Sequence, residues 1–339
     1  MDFVSVSVLS GPSSRRIAAT EFRRAARACR VGLQRTNAVK DLSLEPIATA
    51  SVEREVDATR GGTDAMPLQR IVAELGLPSE PAAVLIGSGQ NSVAYELDGR
   101  ILRLPRHCGA ERDLVREAAA LRAVRPLLPV PVPDLEVRRI DGQFVSLHAK
   151  ILGEPLSDLT GLRIGAQRVL AADLAAFLKA LHSLPIDSVE AEPAEASSSE
   201  WNGLLAQCEA VAFPLLSPDV VTALRKRFSD FLATCDALPR CLIHGDFGTG
   251  NILVDRGRLS GVIDFSGCGL GDPAYDFASL AAGLGDPFVD LVLAHFSPDT
   301  AARDRMGFYR MTFPLLDILY GVENRDPETV RAGVHAFAA

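Results

Sequence analysis

Leu242-Ile-His-Gly-Asp-Phe-Gly-Thr-Gly-Asn-Ile-Leu-Val254, followed shortly by Gly261-Val-Ile-Asp-Phe-Ser266, decides the reading of this chain. Leu242 with Ile243, Ile252 to Val254, and Gly261 to Ile263 suit short buried strands. Asp246, Asn251 and Asp264 then fall on the loops that such strands hold rigidly. Moving a γ-phosphoryl group asks for such a set: one carboxylate to orient the attacking hydroxyl and take its proton, and oxygen ligands to hold Mg²⁺ against the phosphates. Asp246 fits the first role, and Asn251 and Asp264 fit the second. Each residue alone is ordinary turn chemistry. The three together, in strand–loop–strand order, carry the reading.

The spacing is that of the protein-kinase catalytic loop and its Asp-Phe-Gly magnesium motif, with Ser266 in place of the glycine. Upstream, Gly87-Ser-Gly-Gln-Asn-Ser92 lies between two strand-like runs. Glycines there let backbone N–H groups approach phosphate oxygens, so Gly87, Ser88, Gly89, Asn91 and Ser92 form the candidate phosphate cover. Ser92 replaces the third glycine of the kinase pattern. Arg103, on the third strand, is placed to meet the phosphates, and Glu117, on the helix that follows, is placed to hold it; Arg106 is the competing cation. An arginine neutralises phosphate, but its planar fork differs from the point charge of a lysine.

Working outward, Leu68 to Leu75 has helical spacing and stops at Gly76 and Pro78. Ala82 to Ile86, Val93 to Leu97 and Arg100 to Leu104 read as an antiparallel meander turned at Asp98-Gly99. Glu111 to Val124 is a charged amphipathic helix closed by prolines, and strands over Leu135 to Ile140 and Phe144 to Ile151 flank Asp141-Gly142. Beyond Gly153 the pattern is helical: Ala166 to His182, Pro218 to Asp236, Phe277 to Leu284, Pro287 to Phe296 and Ala302 to Tyr320, with Ala191 to Ser199 a low-complexity surface loop. This predicts an α+β architecture with a β-rich nucleotide-binding lobe over residues 66–148, a hinge over 149–155 and a helical lobe with the catalytic loop and acceptor site over 156–339.

The 339 residues carry a net charge of −8, from 35 basic and 43 acidic side chains, which argues against a nonspecific nucleic-acid surface. Residues 1–65 hold 10 basic and 8 acidic residues, so the remainder, with 25 and 35, carries −10 and favours a cationic partner. The first segment reads as a dispensable extension, with Met66 as a working start. Six cysteines without a Cys-x-x-Cys pair, and no apolar run long enough to span a bilayer, predict reduced thiols, a cytoplasmic protein and no membrane partner. No obligate protein partner is evident.

The chain resembles the aminoglycoside phosphotransferases of the kinase-like superfamily, most closely the branch that modifies the 2″-hydroxyl, with macrolide phosphotransferases as relatives. The likeness lies in Ile86-Gly-Ser-Gly-Gln-Asn-Ser-Val-Ala-Tyr95, Leu102-Arg-Leu-Pro-Arg106, Lys150-Ile-Leu-Gly-Glu-Pro-Leu156, Leu178-Lys-Ala-Leu-His182, Ile243-His-Gly-Asp-Phe247 and Gly271-Asp-Pro-Ala-Tyr-Asp276. It implies a protein-kinase-like bilobal fold, Mg²⁺, and ATP or GTP as donor. By position, Asp246 would be the catalytic aspartate, Asn251 and Asp264 would bind Mg²⁺, and Arg103 would stand where the family has lysine. The backbone around His148 to Ile151, with Lys150 and Ile151, would meet the purine. Asp276 would support the catalytic loop, and His182 and His244 would pack beside it.

The helix after Asp276 is poor in acids, which leaves room for a macrolide-like acceptor beside a cationic antibiotic. Asp286, Asp290 and Glu323 are the candidate acceptor contacts, with Asp317 and Asp326 further possibilities. Only 75 residues follow Asp264, too few for the activation segment and peptide platform of a protein kinase, so the acceptor is expected to be a small-molecule hydroxyl. Homoserine-, choline- and fructosamine-type kinases share these loops, and a nucleotide-binding pseudokinase is the non-enzymatic alternative.

Overall fold

Two Asp-Gly turns shape the N-terminal sheet. Asp98 and Gly99 (φ 50° and 68°) and Asp141 and Gly142 (φ 47° and 86°) take the left-handed backbone that tight two-residue hairpins require. The computed structural model describes residues 68–79, 82–88, 91–185, 197–297, 299 and 301–338; the extension over residues 1–65 and Gly89 lie outside them. Strands β1 (Val84–Ser88), β2 (Ser92–Leu97), β3 (Arg100–Pro105), β4 (Glu136–Ile140) and β5 (Gln143–Ala149) form an antiparallel sheet in the order β1-β2-β3-β5-β4. Helix α1 (Leu68–Glu74) covers one face, where Ile71 and Val72 meet Leu97, Leu102, Ile140, Val145 and Leu147 in a small core. Strand alternation sends Arg103, next to Leu102, to the opposite face. There it stands across from Ser146, with Ile101 across from His148.

Helix α2 (Cys108–Val124) begins three residues earlier than the sequence pattern indicates. His107 caps it: the ring Nδ1 accepts the Ala110 N–H at 3.1 Å. The apolar stripe of α2 (Leu114, Ala118, Leu121 and Val124) joins the larger core of the C-terminal half. Glu117 projects from the same helix and is itself buried.

That larger core is built by α3 (Ile164–His182), α4 (Ser197–Gln207), α5 (Pro218–Leu232), α6 (Ala274–Leu284), α7 (Asp286–Leu293), α8 (Ala302–Glu323) and α9 (Pro327–His335). Phe231 stacks on Phe308 with centroids 3.8 Å apart, and the Trp201 ring meets both edge-on. Helix α4 starts inside the stretch Ala191 to Ser199, whose last three residues are therefore helical rather than loop. Helix α9 is not among the helices expected from the sequence, although Asp326 and Pro327 mark its start: the Asp326 carboxylate accepts the Glu328 and Thr329 N–H groups. Among the described residues, no helix is long and apolar enough to cross a membrane.

Two small antiparallel ladders complete the architecture. β7 (Cys241–Ile243) pairs with β10 (Gly269–Gly271), and β8 (Ile252–Asp255) lies between β6 (Glu154–Pro155) and β9 (Arg258–Val262). The loop from β7 to β8 carries Asp246 and Asn251, and the loop from β9 to β10 carries Asp264.

Candidate active site

The two loops are tied to each other and to the core by buried polar groups. Asp276, in the first turn of α6, is fully buried; its Oδ2 accepts the His244 N–H and its Oδ1 the Gly245 N–H, both at 2.9 Å. His182, at the end of α3, adds a contact from Nε2 to the same Oδ2 at 2.9 Å. This is the supporting place that the sequence suggested for Asp276. His244 is a strut between the loops, with Nε2 against the Ile263 carbonyl at 3.2 Å and Nδ1 accepting the Asp246 N–H at 3.3 Å. That pairing fixes the neutral ring with its hydrogen on Nε2.

Burial pushes the His244 pKa below its ordinary value, against the pull of Asp276 and Asp264. Unfolded, the ring titrates near 6.5; folded, it titrates lower, so between those values only the unfolded chain binds the proton. Stability is therefore lost as pH falls from about 6.5. His148, also pushed down by burial and by Arg103, adds to the same limb. We expect His244→Gln to remove up to about one proton from the slope of stability against pH, in urea unfolding between about pH 7 and about pH 5. An unchanged slope would show that native His244 already takes up the proton.

The predicted catalytic set converges. Asn251 donates its side-chain amide to the Asp246 carbonyl at 3.0 Å and to Asp246 Oδ2 at 3.1 Å. With its NH₂ spent in this way, Asn251 keeps its amide oxygen for a cation. Asp264 takes a left-handed conformation (φ 62°), and its Oδ1 is buried with no hydrogen-bond partner among the described residues. An orphaned carboxylate oxygen is costly to bury, and it is the kind of ligand that Mg²⁺ takes. The donor set therefore fits a hard divalent cation completed by phosphate oxygens and water.

Arg103 and Glu117 also meet. Nη1 of Arg103 is 2.9 Å from both Glu117 oxygens, and its Nη2 is 3.8 Å from Asp264 Oδ1. Glu117 Oε1 further accepts the Phe265 N–H at 3.1 Å, which fastens the metal loop to α2. Burial works against the Arg103 charge, but Glu117 and Asp264 outweigh it and hold the guanidinium pKa above its ordinary value. Burial raises Glu117 as well, opposed by Arg103; the hydrogen bonds it accepts are those of a carboxylate.

The flanking strands reach further into the glycine-rich stretch than the sequence indicates, since β1 runs through Gly87 to Ser88 and β2 starts at Ser92. Asn91 is pinned to the start of α2: its carbonyl accepts the Arg106 N–H at 2.7 Å, and its Oδ1 lies 3.1 Å from His107 Nε2. His107 therefore touches the candidate phosphate cover, a contact not expected from the sequence, although its position just before the helix was an available signal. Lys150 donates its backbone N–H to Gly99 and its ammonium to Glu96 at 2.9 Å, and partly buried Ile151 follows it.

The acceptor candidates are not gathered in this way. Asp286 is paired with Arg310 at 2.7 Å and Asp290 with Arg303, while Glu323 is exposed at the end of α8 and Asp326 is the cap of α9. The acid-poor run after Asp276 is buried from Phe277 to Ala281, so its composition reflects packing and does not describe an acceptor surface. Burial also pushes the nearby Cys241 thiol up to about 12, which removes it as a nucleophile at neutral pH.

Residues 83–309, well over half of the chain, match the model of the APH phosphotransferase enzyme family. Viomycin phosphotransferase of Streptomyces vinaceus is 29% identical over 252 residues, covering 70% of this chain and 86% of the relative. Among solved structures, the GDP and kanamycin complex of an APH(2″) enzyme shares the fold with a TM-score of 0.74 at 22% identity, over 80% of this chain and 96% of that one. The apoenzyme of a macrolide 2′-phosphotransferase from Brachybacterium faecium has a TM-score of 0.60 at 20% identity, over 79% and 96%.

Proposed function

We propose, because the chain belongs to the phosphotransferase enzyme family and is an O-phosphotransferase of the antibiotic kinase type, that it moves the γ-phosphoryl group of ATP or GTP, with Mg²⁺, to a hydroxyl of a cationic antibiotic. The observation that carries the reading is the hydrogen-bonded pair of Asp246 and Asn251 on a loop tied through His244 to the one that carries Asp264, whose Oδ1 accepts no hydrogen bond among the described residues. Asp246 orients the acceptor hydroxyl and takes its proton as the new O–P bond forms and the bond to the departing nucleoside diphosphate breaks. Asn251 holds Asp246 in place and, with Asp264, would ligate Mg²⁺. When bound, that ion neutralises charge between the phosphates. Arg103, held by Glu117, meets the phosphates from the sheet, and the turn at Gly87, Ser88, Gly89, Asn91 and Ser92 covers them. Lys150 and Ile151 line the purine end.

The charge of −10 beyond residue 65 supports a cationic acceptor. Asp286, Asp290 and Glu323 are its proposed contacts, the first two by exchange of their arginine partners for the acceptor's ammonium groups. The test is a panel of viomycin, kanamycin, gentamicin, streptomycin and a macrolide with purified protein, Mg²⁺, and ATP or GTP, read by mass spectrometry. We expect a monophosphorylated product from at least one cationic member. Phosphorylation of the macrolide alone would overturn the acceptor class, and no product from any member would overturn the antibiotic assignment.

A further inference from the structure

We propose that the Arg103 guanidinium takes over part of a divalent cation's electrostatic work at Asp264, so that this enzyme binds its nucleotide with little dependence on Mg²⁺. The inference rests on the phosphotransferase reading and concerns the position where the sequence departs from the family's lysine.

The geometry is that of a two-armed bridge. One nitrogen of Arg103 is 2.9 Å from both Glu117 oxygens, and the other lies 3.8 Å from Asp264 Oδ1. A lysine ammonium held at Glu117 has no second nitrogen to offer Asp264, whereas the planar guanidinium spans both carboxylates at once. The bridge is also braced, because Glu117 Oε1 accepts the N–H of Phe265, the residue after Asp264. Arg103, Glu117 and the loop that carries Asp264 therefore form one connected unit.

The consequence is electrostatic. Nucleotide phosphates arriving here meet the negative charge of Asp264 and Asp246, a repulsion that phosphotransferases ordinarily offset with Mg²⁺. In this chain the permanent charge of Arg103, on a side chain 18% exposed, is shared between Glu117 at 2.9 Å and Asp264 at 3.8 Å, whose own side chain is 40% exposed. The same placement sets a guanidinium beside any cation bound at Asp264. The bridge thus favours metal-free nucleotide and disfavours the metal itself, and a lysine at position 103, equally charged but with its single nitrogen held at Glu117, would weaken both effects.

The test is calorimetric titration of the full chain with ADP and with GDP, in EDTA and in saturating Mg²⁺, for the native protein and for Arg103→Lys. For the native protein, chelation should weaken the better-bound nucleotide by no more than about threefold; for Arg103→Lys it should weaken it by about tenfold or more. A loss of about tenfold or more in the native protein, or equal metal dependence in the two proteins, would overturn the inference while leaving the phosphotransferase reading intact. No binding of either nucleotide in either buffer would overturn both. Asp264→Asn gives a second reading that does not rely on the lysine variant folding well. Because Arg103 already offsets the Asp264 charge, removing that charge should tighten metal-free binding by less than about threefold. A tightening of about tenfold or more would show that the Asp264 charge is not offset and would contradict the bridge.

Discussion

Replacing Asp246 by alanine is expected to slow phosphoryl transfer by roughly 10²–10⁴-fold while nucleotide affinity stays within about twofold. The split follows from where the carboxylate sits. Its backbone N–H is held by His244 and its Oδ2 by Asn251, so in the proposed mechanism the side chain serves the acceptor, whereas Arg103, held by Glu117, would meet the nucleotide from the sheet. Loss of Asp246 removes the group that takes the hydroxyl proton and leaves those donor contacts in place. Single-turnover transfer and a separate nucleotide titration measure the two quantities. Equal losses in both would mean that Asp246 shapes the nucleotide site rather than serving the acceptor.

Gly245→Ala is expected to cost about 2–6 kcal/mol of stability and to abolish transfer in whatever protein still folds. Gly245 has φ +78°, a backbone conformation that side chains with a Cβ rarely adopt. A Cβ there would lie 2.1 Å from the Gly267 carbonyl oxygen and 2.7 Å from its carbon, which is backbone that cannot swing aside. Gly267 is the return contact, since a Cβ on it would meet the Gly245 carbonyl carbon at 3.0 Å. The catalytic and metal loops thus touch backbone to backbone, and one added methyl group separates Asp246 from Asp264. Urea unfolding with a transfer assay checks the expectation. A variant as stable and active as the native protein would show that the loops can part without consequence.

The loop positions of the candidate set were legible because the spacing is short-range: Asp246 lies three residues after Ile243, Asn251 directly precedes an apolar run and Asp264 directly follows one. Asp98-Gly99 and Asp141-Gly142 were legible for a similar reason, since two-residue turns with positive φ leave few residue choices. The start of α2 was hidden by Cys108 and Gly109, poor helix formers whose loss is made good by the His107 cap. The start of α4 was hidden because its serines read as linker.

Charge placement was the least legible feature. Nothing in the local sequence around Asp286 or Asp290 announces Arg310 or Arg303, which come from a different helix. The reach of Arg103 to Asp264 depends on how α2 closes the sheet onto the C-terminal core, a relation between elements 161 residues apart in the chain. Periodicity reports which face of an element is buried, and it says nothing of which charged groups meet across two elements.

The central claim is that Asp246, Asn251 and Asp264 act together to pass a γ-phosphoryl group to an alcohol. The most direct measurement follows a labelled γ-phosphate of ATP or GTP, at saturating Mg²⁺, into the acceptor identified by the antibiotic panel. It compares the native protein with Asp264→Ala, after thermal unfolding has shown that the variant is folded. The label is expected to enter an acceptor ester in the native protein and to stay in the nucleotide in the variant. Transfer by folded Asp264→Ala at the native rate would contradict the claim.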